Sequence, residues 1–373
     1  MRVSIMILFA LSFVLAGCQS SHQLEKTKAE EKIQTEESVE EENKETVLFQ
    51  KREIVPIDIS AGIFHSVIDW YDEKTVLLIE NQTNASAVYL YNVLTGKKEL
   101  YLETEAPIVN MQVNKKQNQL LVHTSPSTNK AELAIIDLLS KDELYKGTFQ
   151  SFELQYSWNI ENANQLYVTS FNEDWTFQTY LIDTLTGKQQ KNPVKVPFVQ
   201  WVNHTTLSYL KWNEEEPQLT APLFSYDLES KEEVLLGESM IDFAILEDVT
   251  LSIQVKDEKS NNGIITFNEK GTQNKIASFD LKLLPDYSGW VLPEFEYDAE
   301  NRDFYTFDVN DSQTSFNLVK FNLKDGTKEV IAESIEHGNL KLSPTREVLL
   351  FGPTLEKMIH LKSKEITPFI NLH

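Results

Sequence analysis

The side chains that could do chemistry in this sequence are sparse and scattered. Seven histidines (His22, His65, His123, His204, His337, His360 and His373) stand apart, with no pair at the spacing of a shared metal site. No Gly-x-Ser-x-Gly elbow, His-Glu-x-x-His pair, Gly-rich phosphate loop or dinucleotide fingerprint occurs. The single cysteine, Cys18, excludes an internal disulfide and any cysteine-rich zinc or iron–sulfur site. Asp308-Val309-Asn310-Asp311-Ser312 is spaced like the start of a calcium loop, but the following Gly and the bidentate Glu are missing, so it reads as a polar hairpin tip. Three tryptophans lie in or beside turns with polar or acidic neighbours. Trp175 follows Asp174, Trp212 precedes Asn213-Glu214-Glu215-Glu216, and Trp290 follows Tyr287-Ser288-Gly289. An exposed indole beside a carboxylate can stack on a sugar ring or hold a cation. Trp175, Trp212, Trp290 and Asp174 are therefore the candidate ligand-face residues. No catalytic residue, metal ligand or cofactor is assigned.

Composition narrows the partners. The chain has 373 residues, 41% apolar and 10% aromatic, which suits a globular body with a sizeable core. Its net charge of −23 argues against nucleic acid, since phosphate binding needs a basic surface. Arg2, Arg52, Arg302 and Arg346 are the only arginines, so bidentate phosphate clamps are scarce. From Lys51 onward 29 basic residues face 48 acidic ones, a surface that repels anionic lipid and suits a cationic or neutral partner.

The first fifty residues set the compartment. Val3 to Leu15 is apolar apart from Ser4 and Ser12, a run of 13 residues that is too short to cross a membrane as a helix and matches a signal-peptide core. Leu15-Ala16-Gly17-Cys18 follows at once and resembles the lipobox of bacterial lipoproteins. The resemblance implies that residues 1–17 are removed after Gly17 and that Cys18 becomes a diacylglyceryl cysteine carrying fatty acids such as palmitate. Two acyl chains suffice for stable anchoring. The expected location is the extracytoplasmic face of the cell membrane. Residues 18–50 then form an acidic tether: between Gln19 and Thr46 lie nine Glu, four Lys and no aromatic, Gly or Pro. Such a stretch cannot bury enough apolar surface to offset its ordering entropy, so disorder is expected.

Residues 51–373 repeat. An apolar strand, a polar turn and a second strand rich in Leu, Val and aromatics recur at intervals of 43, 45, 43, 44, 52 and 45 residues. The intervals are measured between Trp70, Val113, Trp158, Trp201, Ile245, Tyr297 and Leu342. Most units carry a second hairpin with Gly at its tip, as at Thr95-Gly96, Thr186-Gly187, Gly271 and Asp325-Gly326; Ser230-Lys231 takes that place in another. Four strands per 40 to 50 residues, repeated this often, predict an all-β propeller of about seven four-stranded blades, with six as the alternative. Trp70, Trp158 and Trp201 fall at equivalent positions and read as core between blades. Ring closure is expected to bring Ile54 to Ile57 beside Ile359 to Phe369.

Leu342 to Phe351, with its Leu-Ser-Pro start and Leu-Leu-Phe end, resembles propeller blades of the TolB and WD-repeat type. Taken whole, lipobox, acidic tether and degenerate propeller resemble the YqgU-like lipoproteins of Gram-positive bacteria, a group that the resemblance implies is six-bladed. The function expected is that of a lipid-anchored binding or assembly module at the cell envelope, held at the membrane by Cys18, with a protein or carbohydrate ligand and a monomeric state. The alternative is an envelope hydrolase, a glycosidase or lactonase whose carboxylates are dispersed over several blades.

Overall fold

The computed structural model describes residues 53–60, 62–191, 194–213, 218–256, 261–286, 289–310 and 313–373. Gly17 and Cys18, the cleavage site and the tether lie outside them. Within them the chain is almost entirely strand, with a single 3-10 turn at Lys115–Gln117 among the described residues. Continuous apolar runs become the second strand of each unit, because that strand is covered on both sheet faces and needs no alternation. Val76, Leu77, Leu78 and Ile79 are fully buried, as are Val348, Leu349 and Leu350.

Seven antiparallel four-stranded units follow one another among the described residues: 64–104, 108–150, 153–191, 200–237, 240–282, 295–335 and 339–368. We call them blades 1 to 7. Blades 4 and 5 share one 13-residue strand, Glu233–Ile245, whose first half closes one blade and whose second half opens the next. The long fifth interval in the sequence has a local cause. It holds an extra hairpin, Leu284–Asp286 with Gly289–Val291, inserted between blades 5 and 6.

Each blade turns from its third to its fourth strand around one residue of positive φ. These are Gly96, Lys141, Gly187, Lys231, Gly271, Gly326 and Lys364. In five blades an Asn or Asp side chain opens that turn by accepting the next backbone N–H groups. Asn92, Asp137, Asp183, Asp227 and Asn322 each do so two and three residues on. Lysine fills three of these positions; the Asp137 and Asp227 bonds hold the turns of Lys141 and Lys231, and the Lys364 amide donates to the His360 carbonyl.

A single blade has two apolar faces, and its neighbours cover them. Leu77, Ile79 and Val88 of blade 1 pack with Met111, Leu120 and Val122 of blade 2. Leu121, Leu133 and Ile135 of blade 2 pack with Trp158 and Leu166 of blade 3. Tyr167 of blade 3 meets Trp201 and Leu207 of blade 4. Similar clusters join blades 4 to 5, 5 to 6 and 6 to 7. Trp70, Trp158 and Trp201 are all buried, as core positions should be.

The ring closes between blades 7 and 1. Ile57–Ile59 pairs in parallel with Ile370–Leu372, and the Val67 amide donates to the Thr354 carbonyl. The expected closure on Ile359 to Phe369 is met at its edge, where the Ile57 amide donates to the Phe369 carbonyl, and the ladder then runs on along Ile370–Leu372. The last blade already has four strands of its own, ending at Ile366–Pro368, so the N-terminal strand meets the next residues along.

First strands lie innermost, where the blade-to-blade polar contacts are made: the Trp201 indole donates to the Ser157 carbonyl, and Gln200 spans to the backbone of Phe243 and Ile245. The antiparallel order then defines two faces. The lower face carries the turns between first and second strands and between third and fourth. The upper face carries the turns between second and third strands and the links from blade to blade.

Candidate functional site

The upper face collects aromatic side chains over blades 3 to 5. Trp175 lies in the turn between the second and third strands of blade 3, with a left-handed φ of 64° and 60% of its surface exposed. That conformation is unfavourable for a bulky residue and persists where surrounding bonds fix it. Here the Trp175 amide donates to the Asn172 carbonyl, and the Asp174 carboxylate accepts from both the amide and the hydroxyl of Thr176. Those bonds hold the Asp174 carboxyl below the usual range. Asp174 therefore shapes the turn that presents Trp175.

The Trp175 ring meets Phe152 and Phe171 edge-on, at 6.3 and 6.0 Å between centroids. Phe171 also packs on Phe177 and Phe198. Phe198 is 57% exposed, on a link whose position is fixed from beneath. The Tyr167 hydroxyl donates to the Val194 and Val196 carbonyls, and the Thr169 hydroxyl donates to that of Pro197.

Phe198 also forms one wall of a cleft of about 360 Å³ that enters between blades 3, 4 and 5. Trp212, Tyr156, Tyr167 and Phe243 supply further aromatic walls, and Gln155, Ser157, Gln200 and Asp242 are its polar side chains. The Gln200 amide is committed to the Phe243 carbonyl and the Ile245 amide, so it braces the inner strands. Among the described residues Asp242 is the one charged member of the lining. It sits just past an irregularity in the shared strand, where Ser239 takes a φ of 59° and the register shifts between Met240 and Asp242. Such bulges re-aim side chains. Burial pushes the Asp242 carboxyl up to about 6, against one hydrogen bond from the Phe243 backbone, and the nearby Glu294 carboxylate adds to the rise.

A second groove, of about 470 Å³ between blades 2 and 3, shares Gln155 and Tyr156 with the cleft and includes Asn110, His123 and Phe152. The His123 ring stands edge-on to Tyr156 at 5.5 Å, and burial pushes its pKa down to about 4, so it is neutral at pH 7.

The three tryptophans singled out in the sequence all fall on the upper face, on separate loops. Trp212 is 43% exposed and lines the cleft. Trp290 lies in the extra hairpin and packs on the core between blades 5 and 6, away from the cleft lining. Sequence reasoning missed Asp242, Phe198 and Phe152. Asp308 belongs to a strand, where its carboxylate pairs with Lys328 and accepts from the Lys282 amide. Among the described residues no group of three His, Cys, Asp or Glu side chains stands close enough to hold a metal ion.

The lower face and the channel are built differently. Lys341 reaches Glu296 at 3.6 Å and Asp69 at 3.9 Å, and Lys115 reaches Asp69 at 3.7 Å, linking blades 6, 7, 1 and 2. The Glu296 carboxylate holds the Lys341 pKa above its ordinary value. Below them Lys116 pairs with Glu247, Lys270 with Glu161, Arg302 with Asp248, and Arg346 with Asp298 and Glu300.

This is a closed all-β propeller with its charges sewn together at one end and an aromatic cleft at the other. The chain belongs to the YqgU-like propeller family, whose domain model, described as six-bladed, matches residues 92–352. That span leaves out most of blade 1 and the end of blade 7; the described residues form seven four-stranded units. It is 26% identical to the uncharacterized lipoprotein YqgU of Bacillus subtilis strain 168, over 99% of this chain and 97% of that one. A crystal structure of lmo1340 from Listeria monocytogenes EGD-e superposes with a TM-score of 0.77 at 20% identity, covering 86% of this chain and 98% of that one. The β-propeller domain of the Trilobed protease from Pyrococcus furiosus, described as having an open velcro topology, gives 0.53 at 12% identity, covering 83% and 99%. An oligogalacturonate lyase in complex with manganese gives 0.55 at 13% identity, covering 78% and 85%. These structural likenesses show the fold.

Proposed function

We propose that this protein is a lipid-anchored binding module of the extracytoplasmic face, acting through the upper-face cleft over blades 3 to 5. The observation that carries this reading is a cleft walled by aromatic rings and continuous with an exposed aromatic shelf, whose described lining holds one carboxylate and no basic residue. Large exposed aromatics gathered in one patch favour recognition over stability. Anchoring is supported by Leu15-Ala16-Gly17-Cys18 and by the near full-length relative that is named a lipoprotein. Among the described residues no helix is long and apolar enough to cross a membrane.

Two experiments test the two halves. Labelled palmitate should enter the wild-type protein and not Cys18→Ala; equal labelling of both would refute the anchor. A photo-crosslinking amino acid at position 212 or 175 should capture a binding partner or labelled carbohydrate in intact cells, while position 185 on the lower face should not. Capture from position 185 alone would refute the assignment of the face.

The hydrolase alternative draws on one observation, the raised Asp242 carboxyl with a second carboxylate, Glu294, acting on it. It requires turnover that disappears in Asp242→Asn.

A further inference from the structure

We propose that the cleft between blades 3, 4 and 5 is a receptor for a primary alkylammonium group, with the Asp242 carboxylate as its counter-ion and the rings of Phe198, Trp212 and Tyr156 as its walls. This rests on the cleft being the binding surface, and it names what that surface takes.

The lining makes the choice. Fourteen of the described residues border the cleft, and none of these is Lys, Arg or His. Asp242 is the one formal charge, and among the described residues no cation lies within ion-pair distance of it. Its partner is a backbone amide, that of Phe243. A carboxylate taken out of water without a cation is costly, and the cost is relieved by a positive ligand. A phosphate or carboxylate ligand would meet like charge with no basic residue to receive it. A neutral sugar would fill the space and leave the charge uncompensated.

Aromatic faces add to the preference, since ring quadrupoles attract ammonium groups and the attraction strengthens away from water. The volume, about 360 Å³, lies near the small end of ligand pockets and suits a single alkylamine or lysine side chain. The remaining polar lining residues include acceptors for the ammonium hydrogens, since Gln155 carries an amide oxygen and Ser157 a hydroxyl. The excess of acidic over basic residues from Lys51 onward draws cations toward the domain at low ionic strength.

The ammonium group can arrive on a free amine or on a lysine of a peptide, and the test separates the two. Full-length protein in detergent is titrated at pH 7.5 with pentylammonium chloride, with a short acetylated peptide holding one lysine, and with 1-pentanol as the neutral control. Methyl glucoside serves as a second neutral probe. Binding is read by calorimetry and by tryptophan fluorescence, using Trp212→Phe to assign the signal. The expected result is saturable binding of pentylammonium at least tenfold tighter than pentanol, weakened at least tenfold in Asp242→Asn. Phe198→Ala, which removes a largely exposed ring, should weaken it severalfold. A lysine peptide that binds tenfold tighter than the free amine assigns the site to a protein ligand, and the reverse assigns it to a small amine. Equal affinity for pentanol, or full affinity in Asp242→Asn, overturns the proposal. Binding of methyl glucoside in place of the amine overturns it while leaving the cleft as the binding surface. A silent Trp212 with every probe overturns both.

Discussion

The two ends of the ring use opposite chemistry. At the lower end and along the channel, lysines and arginines from one blade reach carboxylates of another: Lys341 to Glu296 and Asp69, Arg346 to Asp298, Lys116 to Glu247. At the upper end over blades 3 to 5, exposed rings gather around one carboxylate that has no basic partner. Apolar contact between blades holds the ring along its whole depth, so neither end's chemistry is needed to make a propeller. The two ends divide the labour. The lower end spends its charges on fixing blades to each other, while the upper end keeps a charge uncompensated and several rings uncovered, which stability alone would not favour.

The largest effect should come from breaking the channel cluster. Glu296→Leu leaves Lys341 with a weakened partner set, and urea denaturation should show a loss of about 3 to 5 kcal/mol. Adding Lys341→Met should restore most of it, because removing both charges also removes their desolvation. If the double variant is no better than the single, the ion pairs are not acting as a unit.

Asp242 should behave in the opposite sense. Its carboxyl holds a proton up to about pH 6 when folded and to about 4 when unfolded, so the folded chain binds the extra proton between those values. Stability from this group therefore falls as pH rises through that window and stays lower above it. Asp242→Asn should match the wild type near pH 3.5 and exceed it by up to about 3 kcal/mol at pH 7.5, followed by denaturation across pH. His123 slopes the other way: held neutral down to about pH 4 inside the fold, it adds stability as pH rises from there toward 6.5. The difference between wild type and Asp242→Asn isolates the carboxylate, since His123 is common to both.

Smaller effects sharpen the contrast. Lys231→Gly, at a left-handed position in a lower-face turn, should raise stability by about 0.5 to 1 kcal/mol in the same assay. A loss instead would mean that the lysine side chain does more than occupy the turn. Phe198→Ala should change stability by about 0.5 kcal/mol or less, because its ring is mostly exposed. A large loss there would make the aromatic shelf a structural element.

Much of this architecture was legible because a blade cannot hide its period. The seven reference residues, Trp70 through Leu342, are each the last or next-to-last residue of an inner strand, and the one long interval holds the inserted hairpin. Counting back one residue from each gives Asp69, Gln112, Ser157, Gln200, Ala244, Glu296 and Lys341, which by strand alternation places the channel charges on one layer. Counting back three gives Val67, Asn110, Gln155, Phe198, Asp242, Glu294 and Asn339, which contains the cleft carboxylate. The signal for Asp242 was thus a charge inside an apolar inner strand. It was hidden because Met240-Ile241-Asp242-Phe243 reads locally as an ordinary strand, and the bulge that re-aims it depends on neighbouring strands. Trp175 and Trp212 were found by their turns; Trp290 was found the same way, yet tertiary packing takes it into the wall between blades 5 and 6. Closure was legible to its edge at Phe369, and its register along Ile370–Leu372 is set by the last blade's completed sheet, which no local pattern reveals.

Asp242 is a carboxylate kept at a cost to stability so that a cation can use it. The direct measurement is the melting temperature of wild type and Asp242→Asn at pH 7.5, each with and without saturating pentylammonium. The prediction is that Asp242→Asn melts higher when free and does not move with the amine, while the wild type melts lower and rises toward it. Equal shifts in both, or a variant that melts lower and still binds, would contradict it.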